Sequence, residues 1–77
     1  MEIEIISFGK IAEFVSNQKI DIAETTDTDN LKIHLETLFP ELKAIKYKFA
    51  LNNQLVQANS AIEQNDILAI MPPFSGG

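Results

Sequence analysis

Near its end the chain carries five consecutive apolar residues, Ile67-Leu68-Ala69-Ile70-Met71, framed by Asn65-Asp66 before them and Pro72-Pro73 after them. A run of that length without a polar alternate is the pattern of a strand buried on both faces in mid-sheet. A central strand needs a partner on each edge, because buried backbone amides and carbonyls must be paired. The chain therefore has to wrap further strands around this one, within 77 residues.

The first strand is the obvious partner. Glu2-Ile3-Glu4-Ile5-Ile6-Ser7-Phe8 begins with strict alternation, is rich in β-branched residues and ends near Gly9. Between Lys10 and Val15, apolar Ile11, Phe14 and Val15 fall at helical spacing, a short helical turn. Lys19 to Glu24 alternates again, and the brief connection makes it an antiparallel neighbour of the first strand, with Ile20 and Ile22 toward the core and Asp21 in water. Thr25 to Asn30 is dense in side-chain oxygens that cap free helical amides, so a helix starts there. Its apolar stripe is Leu31, Leu35, Leu38, Phe39 and Leu42, with Lys32 and Glu36 on the other side. Pro40 ends the helix close to Phe39, leaving Leu42 to pack from the following turn. Tyr47 to Leu51 reads as a third strand, Asn52-Asn53-Gln54 as a turn, and Leu55-Val56-Gln57 as a brief fourth. Asn59 to Asp66 is a polar loop with one apolar plug, Ile62. The class is α+β: a mixed sheet with one helix across one face.

What the chain lacks narrows its chemistry. It has no cysteine, hence no thiolate nucleophile, no thiolate metal site and no side-chain persulfide. His34 is its one histidine, and a partly buried or surface position suits it better than metal or proton chemistry. No phosphate-binding glycine loop occurs. Eleven acids against six lysines, with no arginine, leave a net charge of -5, the wrong balance for nucleic acid. No apolar run is long enough to span a bilayer and the N-terminus lacks a signal-peptide pattern, so a cytoplasmic location is expected, with no membrane partner. Glu13 with Glu63 or Asp66 has no spacing that makes an acid pair, and Lys10 and Lys46 read as rim charges. Any catalytic apparatus is sparse or belongs to other proteins, and no cofactor is expected on this chain.

The sequence closes on Pro72-Pro73-Phe74-Ser75-Gly76-Gly77. Two prolines fix φ and stop the ladder, so residues 72–77 are expected to leave the sheet as an extended C-terminal tail reaching about 17 to 20 Å. Paired glycines can thread a passage too narrow for any side chain, and a terminal glycine presents its carboxylate uncrowded. A frayed end also looks small and polar. The joint pattern of strand, proline pair, aromatic and Ser-Gly-Gly is what favours a working tail.

Four segments carry a resemblance over essentially the whole length. "FGKIAEFV" at 8–15, "TDNLKIHLETLFPEL" at 28–42, "ALNNQLV" at 50–56 and above all "NDILAIMPPFSGG" at 65–77 are similar to the small subunits of molybdopterin synthase, ubiquitin-like sulfur carriers of the β-grasp fold. The resemblance implies a single carrier domain over 1–77. It implies that an E1-like adenylyltransferase uses ATP to adenylate Gly77 and that sulfur then replaces the adenylate as a thiocarboxylate. Pro72, Pro73, Phe74, Ser75 and Gly76 would enter a channel of the synthase large subunit, in a heterotetramer that converts a cyclic pyranopterin to molybdopterin. The chain would then be a sulfur-donating subunit rather than an enzyme by itself. Asn65 replaces the family's usual glycine, which a left-handed turn tolerates; Phe74 replaces valine and Ala12 arginine. Two other functions remain open: a carrier that serves thiamine thiazole synthesis or protein tagging, and a β-grasp module that binds without activation.

Overall fold

The computed structural model describes residues 1–73. In chain order the elements are β1 (Glu2–Ser7), a 3-10 turn (Gly9–Glu13), β2 (Gln18–Asp21), α1 (Thr28–Leu38), a second 3-10 turn (Pro40–Ala44), β3 (Lys48–Leu51), β4 (Gln54–Leu55) and β5 (Ile67–Met71). The five strands form one mixed sheet in the order β2-β1-β5-β3-β4. β5 sits at its centre, parallel to β1 with Ile5 opposite Leu68, and antiparallel to β3 with Phe49 opposite Ile70.

The alternation read from the sequence sets which side chains go inward. Ile3 and Ile5 of β1, Ile20 of β2 and Leu68 and Ile70 of β5 share the covered face, where Leu31 and Leu35 of α1 meet them. Ile22 follows β2 into the same core, and Asp21 stays in water. Ile11 and Val15 come from the first 3-10 turn and the residues after it, and close one end. Leu42 reaches the core from the second turn, because the helix ends at Leu38 and Pro40 opens a new 3-10 segment. Leu38 departs from the expected stripe: at the last position of α1 it is 48% exposed.

Two further expectations shift. The β3–β4 turn needs only Asn52 and Asn53, with φ of 49° and 70°, so β4 begins at Gln54 and ends at Leu55. Successive left-handed residues make the tight hairpin whose twist suits antiparallel strands, and asparagine tolerates that conformation. β5 is central but, among the described residues, is covered on one face only. Leu68 and Ile70 are fully buried, whereas Ile67 is 41% exposed and Ala69 and Met71 are partly open. The single helix has just one face to cover; an unbroken apolar run did not guarantee a second layer.

Asp27 caps α1, accepting from the Asn30 amide at 3.1 Å, the Asn30 side chain at 2.8 Å and the Asn59 side chain at 3.0 Å. Asn59 also takes the Asp29 amide at 2.9 Å, and buried Thr28 accepts from the Ser60 amide at 2.9 Å. These bonds stitch the 59–62 loop to the helix start and deliver Ile62, 4% exposed, into the core. The Asn59 and Asn30 donors hold the Asp27 carboxyl below its ordinary value of 3.8. Asn65 holds φ at 68°, the left-handed turn its position calls for.

Among the described residues, Ser7 Oγ is the one buried side-chain polar atom without a hydrogen-bond partner. Ser7→Ala should therefore leave stability unchanged or raise it by about 1 kcal/mol, since it removes an unpaired hydroxyl. Leu35→Ala should lower stability by about 2 to 5 kcal/mol through cavity formation, and urea unfolding of the two variants checks both. The folded pKa of Asp27 lies below the unfolded one, so its stabilisation is complete above the unfolded value and is lost as pH falls through the folded value. The gap in urea midpoint between the native chain and Asp27→Ala should hold constant near neutrality and close as pH drops below about 4.

Candidate functional site

The expected tail leaves from the middle of the sheet. β5 is gripped on its β3 edge up to its last residue, with Lys48 opposite Met71, and on its β1 edge up to Ile70, opposite Ser7. The Phe8 amide donates to the Ile70 carbonyl at 3.1 Å, extending the β1 side of that grip by one bond. Pro72 and Pro73 follow directly, Pro72 partly covered and Pro73 exposed. Phe74, Ser75, Gly76 and Gly77 lie outside the described residues. The base of the proposed tail is therefore anchored on the strand with the most backbone pairing in the fold.

Pro72 rests beside Gly9. That glycine has φ of 61° and carries the chain from β1 into the first 3-10 turn. A side chain there would place its Cβ 2.8 Å from Pro72 Cγ. The sequence had marked Gly9 only as the end of a strand; the contact with Pro72 joins residues far apart in the chain and has no local signal.

Around the same base the open face of the sheet is apolar. Ile6 and Phe8 at the end of β1, Ala50 of β3, Leu55 of β4 and Ile67, Ala69 and Met71 of β5 line a shallow hollow of about 340 Å³, with Asn53 at its margin. Phe8 is 49% exposed and Leu55 47%. Contiguous apolar surface of this kind marks an interaction site more often than isolated exposed residues do. Its rim is polar: Glu4 opposite Lys19 lies on the β1–β2 side and Lys48 on the β3 side. The sequence held a signal for this face, namely the apolar residues in both alternating registers of β5.

Other side chains singled out from the sequence do not gather into a reactive site. His34 is partly buried on the outer side of α1, near Ala23, Glu24 and Thr37. Lys10, Glu13, Lys46 and Glu63 are exposed. Asp66 is a structural clasp, accepting from the Asn52 side chain at 3.0 Å and the Glu63 amide at 2.8 Å. No cluster of three or more metal-ligating side chains occurs among the described residues. A second hollow, about 450 Å³, lies between α1 and β3–β4 and contains Lys32, Tyr47 and Phe49. There the Tyr47 hydroxyl donates to Glu36, which also accepts from Lys32 at 2.9 Å. Burial and the Glu36 carboxylate push the Tyr47 phenol far above its usual range, so it stays protonated at neutral pH. No described helix is long and apolar enough to cross a membrane.

Comparison with known proteins agrees with this architecture. A molybdopterin synthase sulfur carrier subunit from Chlamydomonas reinhardtii is 31% identical, covering 100% of both chains. A chain from the complex of subunits 1 and 2 of molybdopterin-converting factor from Helicobacter pylori superposes with a TM-score of 0.72 at 26% identity, covering 100% of both chains. A Pyrococcus furiosus structure gives a TM-score of 0.83 over 95% of this chain and 98% of that one; at 14% identity it speaks to the fold alone. With the β-grasp arrangement of five mixed strands and one helix in place, and with the ThiS family profile matching residues 5–77, this chain belongs to the ThiS family of sulfur carriers.

Proposed function

We propose that this chain is the small, sulfur-donating subunit of a molybdopterin synthase and that Gly77 carries the sulfur. The observation that carries this reading is the end-to-end match to a named sulfur carrier subunit of that enzyme, at 31% identity over both chains. The proline pair immediately after a central strand adds physical support, because it gives Gly77 a stiffened connection to a fixed base.

The chemistry begins with a carboxylate that is a poor electrophile. An adenylyltransferase joins a Gly77 carboxylate oxygen to the α-phosphorus of ATP and releases pyrophosphate. A sulfur nucleophile then attacks the carbonyl carbon, and AMP departs with the electrons of the carbon–oxygen bond. The product is a thiocarboxylate whose sulfur is the nucleophile for the pterin precursor. After transfer, hydrolysis regenerates the carboxylate, and two carriers are needed for each dithiolene. The large subunit supplies the pocket for the pterin; this chain supplies Gly77 and the tail residues Pro72, Pro73, Phe74, Ser75 and Gly76 that take it there. Partners dock on the apolar sheet face at the foot of the tail, where burying Phe8, Leu55 and Met71 contributes about 25 cal/mol for each Å² removed from water.

Intact mass measured after incubation with activating enzyme, ATP and a sulfur donor should rise by the difference between one sulfur and one oxygen. Removal of Gly77 should abolish that shift without changing the urea midpoint; sulfur transfer at the native rate by the shortened chain would refute the reading. Transfer to a thiazole synthase, together with no binding to a synthase large subunit, would reassign the carrier to another pathway. A Phe8→Asp substitution should weaken binding to the large subunit by about tenfold or more while the fold persists, measured by calorimetry beside a melting curve.

A further inference from the structure

The approach of Gly9 to Pro72 assigns a role to a residue outside the tail. At Gly9 an added methyl carbon would lie 2.8 Å from Pro72 Cγ and 3.4 Å from Cδ. Nonbonded carbons settle at about 3.5 to 4.0 Å, so the first contact cannot stand. Pro72 has little means of yielding. Its ring closes on its own backbone nitrogen, so it cannot swing aside as the end of a long side chain does; it can yield only through a change of ring pucker at Cγ, and any further relief falls on main chain at 72 or at 9.

Positive φ alone does not demand glycine in this fold. Ala23, Asn52, Asn53 and Asn65 hold φ of 53°, 49°, 70° and 68° with side chains in place. What distinguishes position 9 is the combination of φ 61° with a proline ring where a Cβ would go.

We propose that Gly9 is a positioning residue for sulfur transfer: its missing side chain lets Pro72 settle against the exit of β1, and so fixes the direction in which the chain leaves the sheet at Pro72. This rests on the reading of Gly77 as the sulfur-bearing residue. Pro72 is the first residue on the path from β5 to Gly77, so a shift of its backbone moves the point from which that path starts. Reacting groups displaced by about 1 Å can lose about a hundredfold in rate.

The test uses Gly9→Ala and Gly9→Asn, each alone and combined with Pro72→Ala. In urea unfolding, Gly9→Ala should destabilise more in the native background than in the Pro72→Ala background; additive effects would overturn the contact. Residual dipolar couplings should change at Met71 and Pro72 in both single variants and stay unchanged in the interior of β1 and β3. Single-turnover transfer from preformed thiocarboxylate to the cognate large subunit should fall about tenfold or more in Gly9→Asn, with affinity for that subunit held within about threefold. Transfer within about twofold of the native rate would overturn the proposal. If neither single variant folds, adding Pro72→Ala should restore folding, and failure to do so counts against the clash. Should the native carrier never acquire sulfur, the carrier reading fails instead, and the couplings and unfolding cycle still report on Gly9 and Pro72 without any partner.

Discussion

Strand β5 is paired along both edges, in parallel with β1 and antiparallel with β3, and this pairing of the chain's first and last strands orders everything between them. Parallel neighbours cannot be joined by a tight turn, so the intervening chain has to cross over, and it does so on one face with α1. Closing such a long connection is entropically unfavourable, and the reward arrives only when distant segments meet. Local devices lower the difficulty. The Asn52-Asn53 hairpin brings β4 onto β3, and Asn59, Ser60 and Thr28 tie the returning loop to the head of the helix before β5 begins.

The one-sided helix then divides the molecule by task. On the covered face Ile5, Leu31, Leu35, Leu68 and Ile70 are fully buried and carry the stability. On the open face the same strands present Ile6, Ile67, Ala69 and Met71. Because strand side chains alternate, a residue on one face can change without direct contact with the other. Substitutions inside should therefore register in stability, and substitutions outside in association. Position 9 falls into neither group: it stands at the strand's exit, where sheet geometry becomes tail geometry.

Most of the fold was legible in the sequence because its signals are local. Asp27 before an apolar stripe, Pro40 after it, alternation at Ile3 and Ile5, and the five-residue run at β5 each report on their own neighbourhood, and each element forms where those signals place it. The misreadings concern what local pattern cannot encode. Leu38 has the helical spacing of a core residue, yet at the end of α1 it is exposed. The outer residues of β5 are as apolar as the inner ones, and only the count of layers shows that, among the described residues, no second layer covers them. Of the tail expected from the prolines and glycines, only Pro72 and Pro73 lie within the described residues. Sequence could not show that Pro72 lies on Gly9, since that contact exists only after β1 and β5 have paired.

The ionisable groups whose titration is displaced are paired for structure. Catalytic acids and bases are tuned toward the working pH by burial and by like charges. Here the displaced groups go the other way. Backbone and ammonium donors lower Asp21, Asn59 and Asn30 lower Asp27, Tyr47 and Lys32 lower Glu36, and burial with Glu36 raises Tyr47. Each is locked further into the protonation state it already holds near neutrality, which steadies local structure and leaves it unsuited to moving protons in a reaction. Under the proposed function one terminus is presented first to an activating site and then to an acceptor site, and the paired groups named here hold the same charge across the neutral range.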